Sequence, residues 1–110
     1  MNAADRIRVR HMLDAAGAMA FAKGCTADDL RGNRMLLLLL VKEIEIVGEA
    51  ATQISEEFRA SRPDIPWAAI RGMRNRLIHA YADVNVGLVW STVISDLPEL
   101  VRILETLLSE

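Results

Sequence analysis

NRMLLLLLVKEIEIVGEAATQISEEFRA, residues 33–60, is the stretch that decides the fold class. Leu37, Leu40, Ile44, Val47, Ala51, Ile54 and Phe58 recur in it at three- and four-residue steps, the period that lines apolar groups along one helical face. Asn33 can cap the first turn with its side-chain oxygen, and nothing breaks the pattern before Pro63, so one long helix is predicted to run to about Ala60. The five consecutive leucines from Leu36 to Leu40 make its first half apolar all the way round, which requires burial on more than one side. A small bundle can hardly cover that surface alone, so a subunit interface is expected there.

Upstream, Val9, Met12, Leu13, Ala16, Met19 and Ala20 keep the same period and predict a first helix from about Ala3 to Lys23. Gly24 stands where a C-terminal cap belongs, and Thr26 can cap a short next turn whose Asp28 and Asp29 face the positive dipole end. Downstream, the prolines of SRPDIPW restrict the residues before them to extended conformations, and Pro66 can open a new helix that should reach about Tyr81. After a turn at residues 83–85, Asn85 can cap a helix from Val86, and Pro98 should kink or restart it before the last stretch ends near Leu108. Alternating apolar and polar runs flanked by hairpin turns are missing. The reading is an all-α, antiparallel helical bundle of about five helices, a single domain over residues 1–110.

The chain has 110 residues, 52% of them hydrophobic and 25% charged, which places it among globular domains rather than disordered chains. Its net charge of −2 means that any contact with nucleic acid must be local. Cys25 is the only cysteine, so there is neither an intramolecular disulfide nor a thiolate cluster for zinc, as suits a reducing compartment. The most apolar run, residues 35–41, is far shorter than the roughly 20 residues that cross a membrane. Arg6, Arg8, Arg10 and Asp14 leave no uninterrupted apolar stretch for an export signal, so a cytoplasmic location without membrane attachment is expected.

The chemistry concentrates in MRNRLIHAY, residues 73–81. Together with Arg71, this segment holds three of the thirteen basic residues, one of the two histidines and the only tyrosine. On a helix advancing about 100° per residue, Arg71, Asn75 and His79 would form one polar stripe, while Arg74 and Tyr81 would form a second. Arg74 and His79 would then stand about 140° apart, so a twofold dimer could bring them together better than one straight helix can. Imidazole passes protons near neutral pH and guanidinium offers a planar fork to phosphate oxygens, a reasonable kit for phosphodiester chemistry. Cleavage through the RNA 2′-OH needs both a base and an acid; one chain has one suitable histidine, and a dimer has two. An arginine and a histidine five apart on a helix also occur often by chance, in a satisfied surface or interface role.

IPWAAIRGMRNRLIHAY, with VGLVW and DLPEL downstream and RVRHMLDAAGAMA and EIVGEAATQISEEFRA upstream, resembles the HepT-like branch of the HEPN superfamily over nearly the whole chain. The family motif is an arginine and a polar residue, three further residues, a histidine, any residue and a tyrosine; Arg74, Asn75, His79 and Tyr81 fill it in register. Ala80 departs from the glycine of many relatives. The resemblance implies a dimeric all-α bundle with the two motif helices facing across a composite cleft. It also implies a metal-independent ribonuclease toxin that needs no cofactor and acts on RNA. Arg74 would hold the scissile phosphate, Asn75 would orient it or the histidine, and His79 would be general acid or base. Arg71 lies outside the motif and reads as electrostatic support for RNA. The implied partner is a minimal nucleotidyltransferase antitoxin that transfers AMP to Tyr81 and silences the site. A non-catalytic helical partner and AMPylation substrate is the alternative, and a plain dimerisation domain is a third reading. Arg76 reads as a solvated or interface charge and His11 as structural or exposed. Trp67 and Trp90 read as core, and Asp96 and Glu99 as helix-start charges rather than metal ligands.

Overall fold

A computed structural model describes residues 1–77 and 83–110. Its described α-helical segments are α1 (Ala3–Ala16), α2 (Ala27–Gly32), α3 (Arg34–Thr52), α4 (Glu56–Ser61), α5 (Trp67–Arg71), α6 (Val86–Ser91) and α7 (Leu97–Ser109). A 3-10 stretch, Gly17–Ala22, prolongs α1, another spans Arg74–Arg76, and a π-helical stretch, Thr92–Asp96, joins α6 to α7. Local side-chain chemistry sets several of these boundaries. Asn33, Thr26 and Asn85 accept the amides of Leu36, Asp29 and Leu88, and Thr26 and Asp29 close a reciprocal capping box. Gly24 takes the left-handed conformation, φ 81°, that a side chain would resist.

Three rods, α1, α3 and α7, enclose the core. Val9, Met12, Leu40, Ile44, Val47, Leu100 and Leu104 belong to one continuous buried cluster. Two links fix α1 as antiparallel to both α3 and α7. Asp5, near the start of α1, bonds Ser55 just beyond the end of α3, and Arg6 donates to the Leu108 carbonyl near the end of α7, at 2.9 Å. At the same end, Arg62 grips both Asp64 and Glu110, and its guanidinium holds the Asp64 carboxyl below the usual carboxylate range.

Two predicted boundaries are corrected. The long helix ends at Thr52 rather than near Ala60, because the chain turns at Gln53–Ile54 and Ser55 caps a separate α4 through the Phe58 amide. Asp5 drives the break: only 2% exposed, it accepts the Ser55 amide at 2.8 Å and the Ser55 hydroxyl at 2.6 Å. Continuing α3 would direct that amide into the helix and orphan a buried carboxylate. Replacing Asp5 by alanine should therefore leave polar groups of Ser55 unsatisfied at about 1–3 kcal/mol. Thermal unfolding is expected to shift down by about 10 °C; an unchanged midpoint would show that the joint carries no weight.

The helix opened at Pro66 is the second correction, since it stops at Arg71 instead of reaching Tyr81. Gly72 ends it, a residue that costs about 1 kcal/mol relative to alanine inside a helix. Beyond it the amides of Asn75 and Leu77 bond three residues back, to the Gly72 and Arg74 carbonyls, the tighter 3-10 pattern. Met73 and Leu77 are buried and pin the turn to the bundle. Pro98 sits in the first turn of α7, directly after the π stretch, so the restart predicted there is present.

Candidate functional site

The Gly72–Leu77 turn has two buried anchors, Met73 and Leu77, and between them three exposed polar residues, Arg74, Asn75 and Arg76. Arg71, also exposed, ends α5 just ahead of it. The α-helical path ends at Arg71, so Arg71 and Asn75 are not joined by one regular helix as the first stripe assumed. Arg74 reaches back to α3, its Nε donating to Glu45 Oε2 at 3.2 Å. Arg76 turns the other way and pairs with Asp96 at 3.7 Å, just before α7. The two arginines thus serve different sides of the turn, and Arg76 is an ion-paired surface charge. His79 and Tyr81, the other motif residues, lie outside the described residues.

Gly48 explains how the turn sits so close to α3. A Cβ built at this position would lie 3.2 Å from the Arg71 carbonyl oxygen and 3.6 Å from that of Ile70. Two backbones meet where one lacks a side chain. Gly48→Val should force them apart, costing about 1–3 kcal/mol by overpacking and displacing the arginine turn with it. Denaturant unfolding checks the stability, and a variant as stable as the parent would mean that the approach has slack.

Glu45 and Gly48 stand three residues apart on α3, so one face of this helix both receives the turn and holds its arginine. That face continues toward the N-terminus as exposed apolar surface. Met35 is 82% and Leu38 44% exposed, while Leu37 and Leu40 are buried. Met35 precedes Lys42, and Leu38 precedes Glu45, by seven residues each, two turns or about 10 Å along the helix on nearly the same side. The leucine run is therefore covered on one side only within the chain, as its all-round apolarity led one to expect.

Sequence reasoning missed Glu45. Twenty-nine residues separate it from Arg74, and no local pattern connects them. The remaining readings are settled by placement. Trp67 is buried with its Nε1 donating to the Arg62 carbonyl, Trp90 is half-buried against the core, and His11 is exposed. Glu99 lies in the first turn of α7 and Asp96 at its N-cap position, where the Asp96 side chain pairs with Arg76 instead of bonding a helix amide. Among the described residues no helix is long and apolar enough to cross a membrane.

Fold and site together define an all-α bundle that presents a short arginine- and asparagine-bearing turn on its surface. The family described as ribonuclease HepT-like matches residues 12–107, and the chain belongs to it. Its relatives carry matching names. It is 35% identical over 88 residues to "Putative RNase TTE0752" of Caldanaerobacter subterraneus subsp. tengcongensis, covering 80% of this chain and 79% of that protein. It is also 35% identical over 80 residues to "Probable ribonuclease HepT" of Thermococcus cleftensis, covering 73% of each. With "Putative RNase MJ1380" of Methanocaldococcus jannaschii it shares 32% identity over 91 residues, 83% of this chain and 84% of that one. No solved structure gives a significant match.

Proposed function

We propose that this protein is a metal-independent endoribonuclease, the toxin of a two-component system, with a composite site formed by two subunits. The observation that carries the reading is the state of Arg74. Its side chain is 46% exposed and meets Glu45 through Nε, leaving the two terminal nitrogens without a partner among the described residues. A planar fork presented to solvent suits a phosphodiester. Asn75, also exposed, orients the phosphate or the histidine, and Arg71 adds positive potential for the RNA backbone.

His79 supplies the proton chemistry. The RNA 2′-oxygen attacks the adjacent phosphorus and gives its proton to a base, while the P–O5′ bond breaks and the leaving oxygen takes a proton from an acid. Two copies of His79, one from each subunit, fill the two roles. The products are a 2′,3′-cyclic phosphate and a free 5′-hydroxyl. The exposed apolar ridge of Met35 and Leu38, in line with Glu45 and hence with Arg74, supports a twofold contact that would bring two such sites close.

Silencing completes the reading. A partner nucleotidyltransferase directs the Tyr81 oxygen onto the α-phosphorus of ATP, releasing pyrophosphate and leaving AMP on the ring. Bulk and negative charge added to the motif then oppose the binding of RNA. Unmodified protein incubated with RNA in chelator should yield cyclic-phosphate ends, and intact RNA would reject the nuclease. In that case an AMP mass gained with ATP, magnesium and the nucleotidyltransferase, and lost in Tyr81→Phe, would favour the non-catalytic partner.

A further inference from the structure

We propose that Glu45 is a positioning residue, which holds the Arg74 guanidinium so that its two terminal nitrogens face the scissile phosphate. The inference rests on the reading of Arg74 as the phosphate-holding group. An arginine on an exposed 3-10 turn has many rotamers of similar energy, and a group that must meet a reacting phosphate gains from being fixed beforehand. Glu45 can fix it because it stands on α3, a helix of 19 residues whose opposite side is core. The contact is to Nε, at 3.2 Å, so it occupies the inner corner of the guanidinium and leaves the outer fork for another anion.

Two further features fit positioning rather than blockade. Lys42 Nζ lies 3.9 Å from Oε1, the other Glu45 oxygen, so the carboxylate carries a second cation and is not a lone negative charge facing RNA. Gly48, one turn further along α3, admits the Ile70 and Arg71 carbonyls and brings the base of the turn to a defined distance from Glu45. Backbone and side chain of the arginine turn are thus both registered against one helix face.

The test compares Glu45→Ala and Glu45→Gln with wild type and Arg74→Ala, each as the full chain. Single-turnover cleavage of an RNA oligonucleotide is measured across RNA concentrations, and binding is followed by anisotropy with a 2′-O-methyl version that cannot be cleaved. Glu45→Ala should lower the maximal rate about tenfold with half-saturation and binding changed by less than about twofold, since the arginine remains but is no longer aimed. Glu45→Gln, which keeps an oxygen to accept the Nε–H, should recover most of that loss. Melting temperatures of both should stay near wild type, because the pair is solvent-accessible. A Glu45→Ala rate at or above wild type, or Glu45→Gln no better than Glu45→Ala, overturns the positioning role provided Arg74→Ala is impaired. Wild-type activity in Arg74→Ala rejects the underlying reading instead, and with it the need for Glu45.

Discussion

His79→Ala is expected to slow RNA cleavage by about 10²–10⁴-fold, the range that a well-placed general acid or base contributes. The upper part of that range applies if the two subunits' imidazoles act as base and acid at one cleft, because the substitution then removes both. Binding of uncleavable RNA should change little, since Arg71, Arg74 and Arg76 remain to meet the backbone phosphates. Loss of rate without loss of binding marks a group that acts in the transition state. Rapid-quench cleavage together with anisotropy checks both halves, and a variant that cleaves as fast as wild type would remove His79 from the mechanism.

The second large effect is expected from Met35→Glu combined with Leu38→Glu. In the single chain both side chains are exposed, Met35 at 82%, so the monomer's stability should hardly change. In a twofold contact each substitution acts twice. If burying the exposed part of each side chain contributes about 1 kcal/mol, the four lost contacts alone weaken association by about 10³-fold, and the added carboxylates weaken it more. Sedimentation at several concentrations should show monomers with a near-normal melting temperature. Cleavage should fall with the dimer fraction, and a fully active monomer would show that one chain carries the complete site.

Glu45, Arg74 and the Met35–Leu38 ridge connect these expectations. A contact along the exposed face of α3 would enclose the arginine turn, exclude water and strengthen the interaction between guanidinium and phosphate. Assembly and cleavage in this reading depend on one helix face.

Much of the architecture was legible in residue order because its causes are local. The caps at Thr26, Asn33 and Asn85 and the left-handed Gly24 involve groups within three or four residues of one another. The apolar periods that build α1, α3 and α7 are equally local, and the motif that identifies the family lies within eight consecutive residues, 74–81. The incomplete coverage of the leucine run was legible too, since a helix apolar on every side exceeds what one small bundle can bury.

Contacts between distant residues decided the rest. Helix periodicity runs through Ser55 without interruption, and only the carboxylate of Asp5, fifty residues away, draws its amide out of the ladder and splits the long helix. The motif reads as one regular helix until Met73 and Leu77 are anchored in the core and Gly72 yields, so that Arg74 and Arg76 turn to opposite neighbours. Glu45 joins Arg74 across 29 residues, where Gly48 lets two backbones touch. Sequence by itself thus determined the helices, the family and the residue types available for chemistry, because propensity and spacing act along the chain. Tertiary structure alone decided where those helices end and which carboxylate holds the arginine, because buried polar groups must find partners wherever packing places them.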